Sequence, residues 1–74
     1  MVDARVSIRD VNEALDLHLN GEEFDTLGGL VYHELGKVPD EGDQIRVNGC
    51  LVTVMSTQGR RIRKLKVTLV EDGD

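Results

Sequence analysis

Asn48-Gly49, with Gln44 to Val47 before it and Cys50 to Ser56 after it, constrains the fold more than any other stretch of the chain. An Asn-Gly pair accepts positive φ at both central positions of a type I′ turn, whose twist matches the strands it joins. The flanking segments are therefore predicted to be antiparallel strands of one hairpin. In the second, Cys50, Val52 and Val54 alternate with Leu51 and Met55, so both faces are apolar. That pattern predicts a central strand covered on each side.

The same reading extends in both directions. After Thr57-Gln58-Gly59 a last strand is expected from about Arg61 to Val70, with Leu65, Val67 and Leu69 on one face. Ile62 breaks that parity, and a bulge near Arg63-Lys64 would restore it. Toward the N-terminus, Ala4-Arg5-Val6 reads as a short strand. Ser7 follows as a helix N-cap with Asp10 three residues on, a capping-box-like start. The helix should run to about Leu15, placing Ile8, Val11 and Leu15 on the core and Arg9, Asn12 and Glu13 in water. Asp16 to Glu23 is expected to be an extended loop ended by Asn20-Gly21. A second helix is expected within Asp25 to Gly36, its apolar face Leu27, Leu30, Val31 and Leu35 and its end at the glycine. Lys37 to Asp43 is then a turn, with φ preset at Pro39 and φ > 0 available at Gly42. The fold class is α+β: a small two-layer domain of order β-α-α-β-β-β whose later strands form an antiparallel meander.

A chain of 74 residues has room for one domain, a core from about residue 4 to residue 70 with an acidic tail at 71–74. Domains this small bury only roughly 60 % of their unfolded surface and usually lean on disulfides, a metal or a partner. Cys50 is the single cysteine, so no intrachain disulfide is possible, and with His18 and His33 it makes no metal-ligand spacing. Self-association as a homodimer is the remaining expectation.

Charge and composition narrow the function. Nine basic against 14 acidic residues give a net charge of −5, and Phe24 and Tyr32 are the only aromatic residues. A general nucleic-acid binder needs the opposite field and more stacking surface. No apolar run approaches the roughly 18 residues of a membrane span, so no direct membrane insertion by this chain is expected. Nor do a nucleophile, a base and an orienting group assemble from the sequence, and no enzyme is expected. His18 in a loop and His33 on a polar helix face read as surface residues, and Cys50 as a small buried hydrophobe. Asp40, Glu41 and Asp43 share a turn but do not make a calcium-loop pattern, and no metal site is expected.

Two features stand out as candidate sites. Gly28-Gly29 lies inside a helix, where each glycine costs about 0.8–1 kcal/mol relative to alanine. One reading is close approach of the helix backbone to another element, including a dimer seam through Leu27, Gly28, Gly29, Leu30 and Val31. The other is an anion site, with Thr26, Gly28 and Gly29 at a helix start whose free N–H groups attract phosphate. The second feature is the basic run Arg60, Arg61, Arg63, Lys64 and Lys66. It is read either as a solvated strand protected against unwanted pairing or, functionally, as an anion or nucleotide contact through Arg60, Arg61 and Arg63 or a complementary seam with an acidic neighbour domain.

Several signatures in order across nearly the whole chain carry a resemblance. They are Val6-Ser7-Ile8-Arg9-Asp10-Val11-Asn12-Glu13, then Phe24-Asp25-Thr26-Leu27-Gly28-Gly29-Leu30-Val31, then Leu35-Gly36-Lys37-Val38-Pro39 with Gly42-Asp43, and finally Gly59-Arg60-Arg61-Ile62. Together they resemble the CorC/HlyC transporter-associated domain. The resemblance implies the end module of a membrane protein that carries CBS domains and handles magnesium or cobalt efflux, or is known as a hemolysin. It implies a place at the cytoplasmic face of the bacterial inner membrane, with the neighbouring CBS and membrane domains as partners, and a role in modulating transport. It also implies a fold similar to part of an oxidase-type FAD-binding domain, so FAD or an adenine nucleotide enters as a possible cofactor by fold analogy.

Overall fold

The computed structural model describes residues 1–19, 24–47 and 49–70. Its elements are β1 (Val2–Asp3), α1 (Ile8–Leu15), α2 (Leu27–Leu35), β2 (Gln44–Val47), β3 (Cys50–Gln58) and β4 (Arg61–Leu69). They follow the predicted order. The expected Asn20-Gly21 loop end, the Asn48 half of the hairpin turn and the acidic tail lie outside the described residues. Gly49, the other half of that turn, has φ +80°, the left-handed conformation that its position in a type I′ turn requires.

All four strands form one antiparallel sheet of order β1-β4-β3-β2. The meander β2-β3-β4 is as expected. β1 adds to the free edge of β4, with Val2 opposite Leu65 and Asp3 opposite Lys64. It sits two residues earlier than Ala4 to Val6 because Asp3 ends it: the Asp3 carboxylate accepts the Arg5 amide at 2.8 Å and the Asp3 carbonyl accepts the Val6 amide at 3.0 Å. An aspartate that captures the amide two residues on turns the chain out of the ladder.

The pairing of β3 with β4 slips twice. Val54 faces Leu65 and Ser56 faces Lys64, which leaves Met55 as an extra residue; Thr57 then faces Ile62, which leaves Arg63 over. The Arg63 slip is the bulge expected from the parity of Ile62, and Ile62 does pack against the core. The Met55 slip is a second one that the pattern did not signal.

Cys50, Val52 and Val54 on β3 join Leu65 on β4 beneath Ile8 and Val11 of α1 and Leu27, Leu30 and Val31 of α2. The helices cover this one face. On the other, Leu51 is half-buried and Met55 is 40 % exposed, beside Gln44, Arg46, Lys66 and Thr68 of the paired strands. β3 is therefore central in the sheet but covered on one side only, which corrects the expectation of cover on both. Two short helices supply one layer, and the outer face stays polar except at those two side chains.

Both helix starts are fixed together. Ser7 caps α1 by accepting the amides of Arg9 and Asp10, and Thr26 caps α2 by accepting the amide of Gly29. The two caps face each other across an antiparallel bridge, in which Ile8 donates to the Asp25 carbonyl and Leu27 to the Val6 carbonyl, each at 3.0 Å. Asn12, expected in water, is instead a clamp. Its side chain donates to the Leu19 carbonyl at 3.0 Å and accepts the Leu19 amide at 2.9 Å, which holds Leu19 in the core at 5 % exposure.

Candidate binding cleft

The reason for Gly28 is inside the chain. Its amide donates to the Ala4 carbonyl at 2.8 Å, and a Cβ built on it would stand 2.8 Å from that oxygen and 2.9 Å from the Ala4 Cβ. Ala4 in turn donates its amide to the Arg63 carbonyl at 2.9 Å. Ala4 is thus the tie between the start of α2 and β4, and it brings the two sequence-distant candidate features together.

Around that tie lies a cleft of about 310 Å³ lined by Ala4, Arg5, Thr26, Gly28, Gly29, Tyr32, Arg60, Arg61 and Ile62. Five of the six residues singled out as anion contacts, Thr26, Gly28, Gly29, Arg60 and Arg61, meet there. Arg63 does not. It lines an adjoining cavity of about 310 Å³ with Asp3, Arg5, Gln58, Arg61 and Ile62. Arg5 and Tyr32 were missed by sequence reasoning. Tyr32 could have been found, since it lies one helical turn from Gly28 and shares its face. Nothing in the sequence signalled Arg5, because Asp3 turns the chain there only in the folded structure.

Burial removes three residues from the seam expected through α2. Leu27 and Val31 are 0 % exposed and Leu30 is 5 % exposed, so these side chains belong to the chain's own core and present no surface to a second copy. Of the five residues expected in that seam, only Gly28 and Gly29 line the cleft.

The helix start also differs from a free anion site. The amides of Leu27, Gly28 and Gly29 are bonded to the Val6 carbonyl, the Ala4 carbonyl and Thr26 Oγ1 respectively. The donors a phosphate would use at a helix N-terminus are already committed. Cationic side chains remain. Arg5 is held by Asp3, with Nε 3.3 Å from Oδ1 and Nη2 3.4 Å from Oδ2, and Lys64 Nζ lies 3.7 Å from Asp3 Oδ2. The Arg5 amide and guanidinium hold the Asp3 carboxyl down to about 2, and Asp3 raises Arg5 in return. No ion pair among the described residues engages Arg60, Arg61 or Arg63.

Elsewhere the reactive groups are quiet. Lys37 bonds Asp43 at 2.9 Å and lies 3.7 Å from Asp40, and the Asp40 amide donates to Asp43 at 2.8 Å. That amide and Lys37 lower the Asp43 carboxyl. Among the described residues no group of three His, Cys, Asp or Glu side chains could hold a metal ion. Burial pushes the Cys50 thiol up, and the residue is fully enclosed. The Phe24 and His33 rings lie 4.9 Å apart between centroids, tilted at 42° to each other. Among the described residues no helix is long and apolar enough to cross a membrane.

Comparison with known proteins places this architecture. The magnesium and cobalt efflux protein CorC of Escherichia coli K12 is 39% identical over 71 residues, which is 96% of this chain and 24% of that protein. The chain thus spans about a quarter of the length of the curated relatives it matches. Among solved structures, a region of Neisseria meningitidis MC58 described as associated with a Mg2+ and Co2+ transporter, CorC, superposes with a TM-score of 0.87 at 36% identity, covering 93% of this chain and 85% of that one. The transporter associated domain from a CBS domain protein of Porphyromonas gingivalis gives 0.80 at 31% identity, over 93% and 85%. With residues 1–71 matched by the family described as the transporter associated domain, CorC_HlyC, the chain belongs to that family.

Proposed function

We propose that the chain is a non-catalytic regulatory and interaction domain of a CBS-domain-containing ion transporter, modulating the movement of magnesium, cobalt or a related ion. The observation that carries this reading is the 39% identity over 71 residues to a magnesium and cobalt efflux protein. Likeness to the domain from a CBS domain protein supports the context. In that context the domain lies at the cytoplasmic face of the bacterial inner membrane and contacts neighbouring CBS and membrane domains. A homodimer fits the same reading, with a contact surface other than the buried Leu27, Leu30 and Val31.

Regulation needs a surface whose contacts differ between transporter states, because a domain shifts an equilibrium only through differential binding. The test is efflux of cobalt from cells carrying the parent transporter with and without this domain. A changed rate at equal membrane abundance supports the reading. An unchanged rate overturns it.

A second reading, an FAD or adenine-nucleotide sensor, is favoured by the convergence of Thr26, Gly28, Gly29, Arg60 and Arg61 on one cleft. Its phosphates would be held by guanidinium groups, since the amides at the start of α2 are bonded already. Calorimetry with FAD, AMP or ATP tests it, with heat and a raised Tm expected on binding.

A further inference from the structure

We propose that the cleft between the start of α2 and the turn from β3 to β4 docks an acidic segment of a neighbouring protein domain. Arg60 and Arg61 receive its carboxylates, and the Tyr32 ring packs beside its apolar side chains. This rests on the interaction-domain reading above and names the surface that reading uses.

The residue types at the cleft are those of a protein interface. Arginine and tyrosine dominate binding hot spots because each joins a large apolar body to directional polar groups. Tyr32 is 44 % exposed. A guanidinium fork matches a carboxylate in two parallel hydrogen bonds, and Arg60 and Arg61 have no carboxylate partner among the described residues. Thr26, Gly28, Gly29 and Tyr32 line the α2 side of the cleft, facing Arg60 and Arg61 at its other edge.

Size and donor chemistry favour a peptide over a dinucleotide. A cleft of about 310 Å³ sits at the lower bound of pockets that enclose small molecules, roughly 300–1,000 Å³. The amides that would cradle a phosphate are occupied. Charge complementarity sets the sign of the partner: the chain carries −5 overall, yet this cleft gathers three arginines, of which only Arg5 is paired.

Two acids of the chain are already engaged elsewhere. Asp43 and Asp40 are engaged by Lys37.

The test is a titration of the isotopically labelled 74-residue chain, followed by amide chemical shifts at low ionic strength, with a short blocked peptide of glutamate and leucine. Its lysine and leucine counterpart and inorganic phosphate are the comparison arms. The expected result is movement of the Gly28, Gly29, Tyr32 and Arg61 amides with the acidic peptide alone. Arg60→Glu with Arg61→Glu should weaken binding by roughly tenfold or more, while Arg46→Glu with Lys66→Glu, an equal charge change on the outer sheet face, leaves the site of binding unchanged. No shift, shifts centred elsewhere, or equal weakening by both pairs of substitutions would overturn the proposal. Phosphate reproducing the same shifts would also overturn it and make the cleft a small-anion site. Failure here leaves the efflux comparison untouched, and an unchanged efflux rate leaves the peptide titration untouched, so the two readings fail separately.

Discussion

Gly28 and Ala4 are joined backbone to backbone: the Gly28 amide meets the Ala4 carbonyl at 2.8 Å, and any Cβ at Gly28 would fall 2.8 Å from that same oxygen. The contact fixes α2 against the strand that pairs with β4, and it sets the floor of the basic cleft.

Gly28→Ala should therefore destabilise the chain although it improves helix propensity. The propensity gain is about 0.8–1 kcal/mol, while forcing a methyl into a filled site costs about 1–3 kcal/mol. A net loss of up to about 2 kcal/mol in urea unfolding is expected. Gly29→Ala meets only Thr26 Oγ1, at 3.2 Å, and should cost clearly less. Equal effects of the two substitutions would contradict the contact.

Asn12→Ala should release the chain at Leu19. Two part-buried hydrogen bonds go with the side chain, at about 1–3 kcal/mol for buried groups left unpaired. Hydrogen exchange at the Leu19 amide should rise more than at Val52 or Leu65. Protection that stays unchanged at Leu19 would show that Asn12 is no clamp.

The acid limb of stability should involve Asp3. Its carboxyl falls from 3.8 to about 2 because it accepts the Arg5 amide and guanidinium. A depressed folded pKa contributes stability that is present above about pH 3.8 and is lost as pH falls through about 2. Asp43, also lowered, adds in the same direction. A titration of the Asp3 carboxyl carbon with its midpoint near the ordinary value would contradict the pairing. Both groups are partly exposed, so added salt should weaken the effect.

Cys50 should resist thiol reagents in the native chain. It is 0 % exposed and its thiol is raised by burial, so the reactive thiolate is scarce and enclosed. Reaction with Ellman's reagent at pH 8 should follow global unfolding. Rapid labelling of the folded chain would place Cys50 at the surface.

Local patterns were the legible part of this fold. The hairpin, both helices, the Ser7 cap, the Gly36 end and the Arg63 bulge follow from alternation and turn chemistry, which act over a few residues. Longer-range facts were not legible. Leu51 and Met55 look like core in sequence, and only the presence of a single helical layer leaves them outside. Ala4 has strand-like neighbours, yet its side chain is buried against α2 rather than extended in a ladder. Asn12 reads as solvent-facing by helical period, but the loop folds back onto it. The cleft draws on three separate segments, residues 4–5, 26–32 and 60–62. Its two halves were visible as an unusual glycine pair and a basic run, and their meeting depends on the β1–β4 pairing that no local signal announces.

Regulation of a transporter through the Arg60 and Arg61 cleft requires that changing the cleft changes transport. The most direct measurement is cobalt efflux by the parent transporter reconstituted in liposomes, comparing wild type, the Arg60→Glu with Arg61→Glu variant and a variant lacking the domain. The charge reversal is expected to change the rate in the same direction as the deletion, with folding and insertion unchanged. A charge-reversed transporter indistinguishable from wild type, beside a deletion that alters the rate, would contradict it.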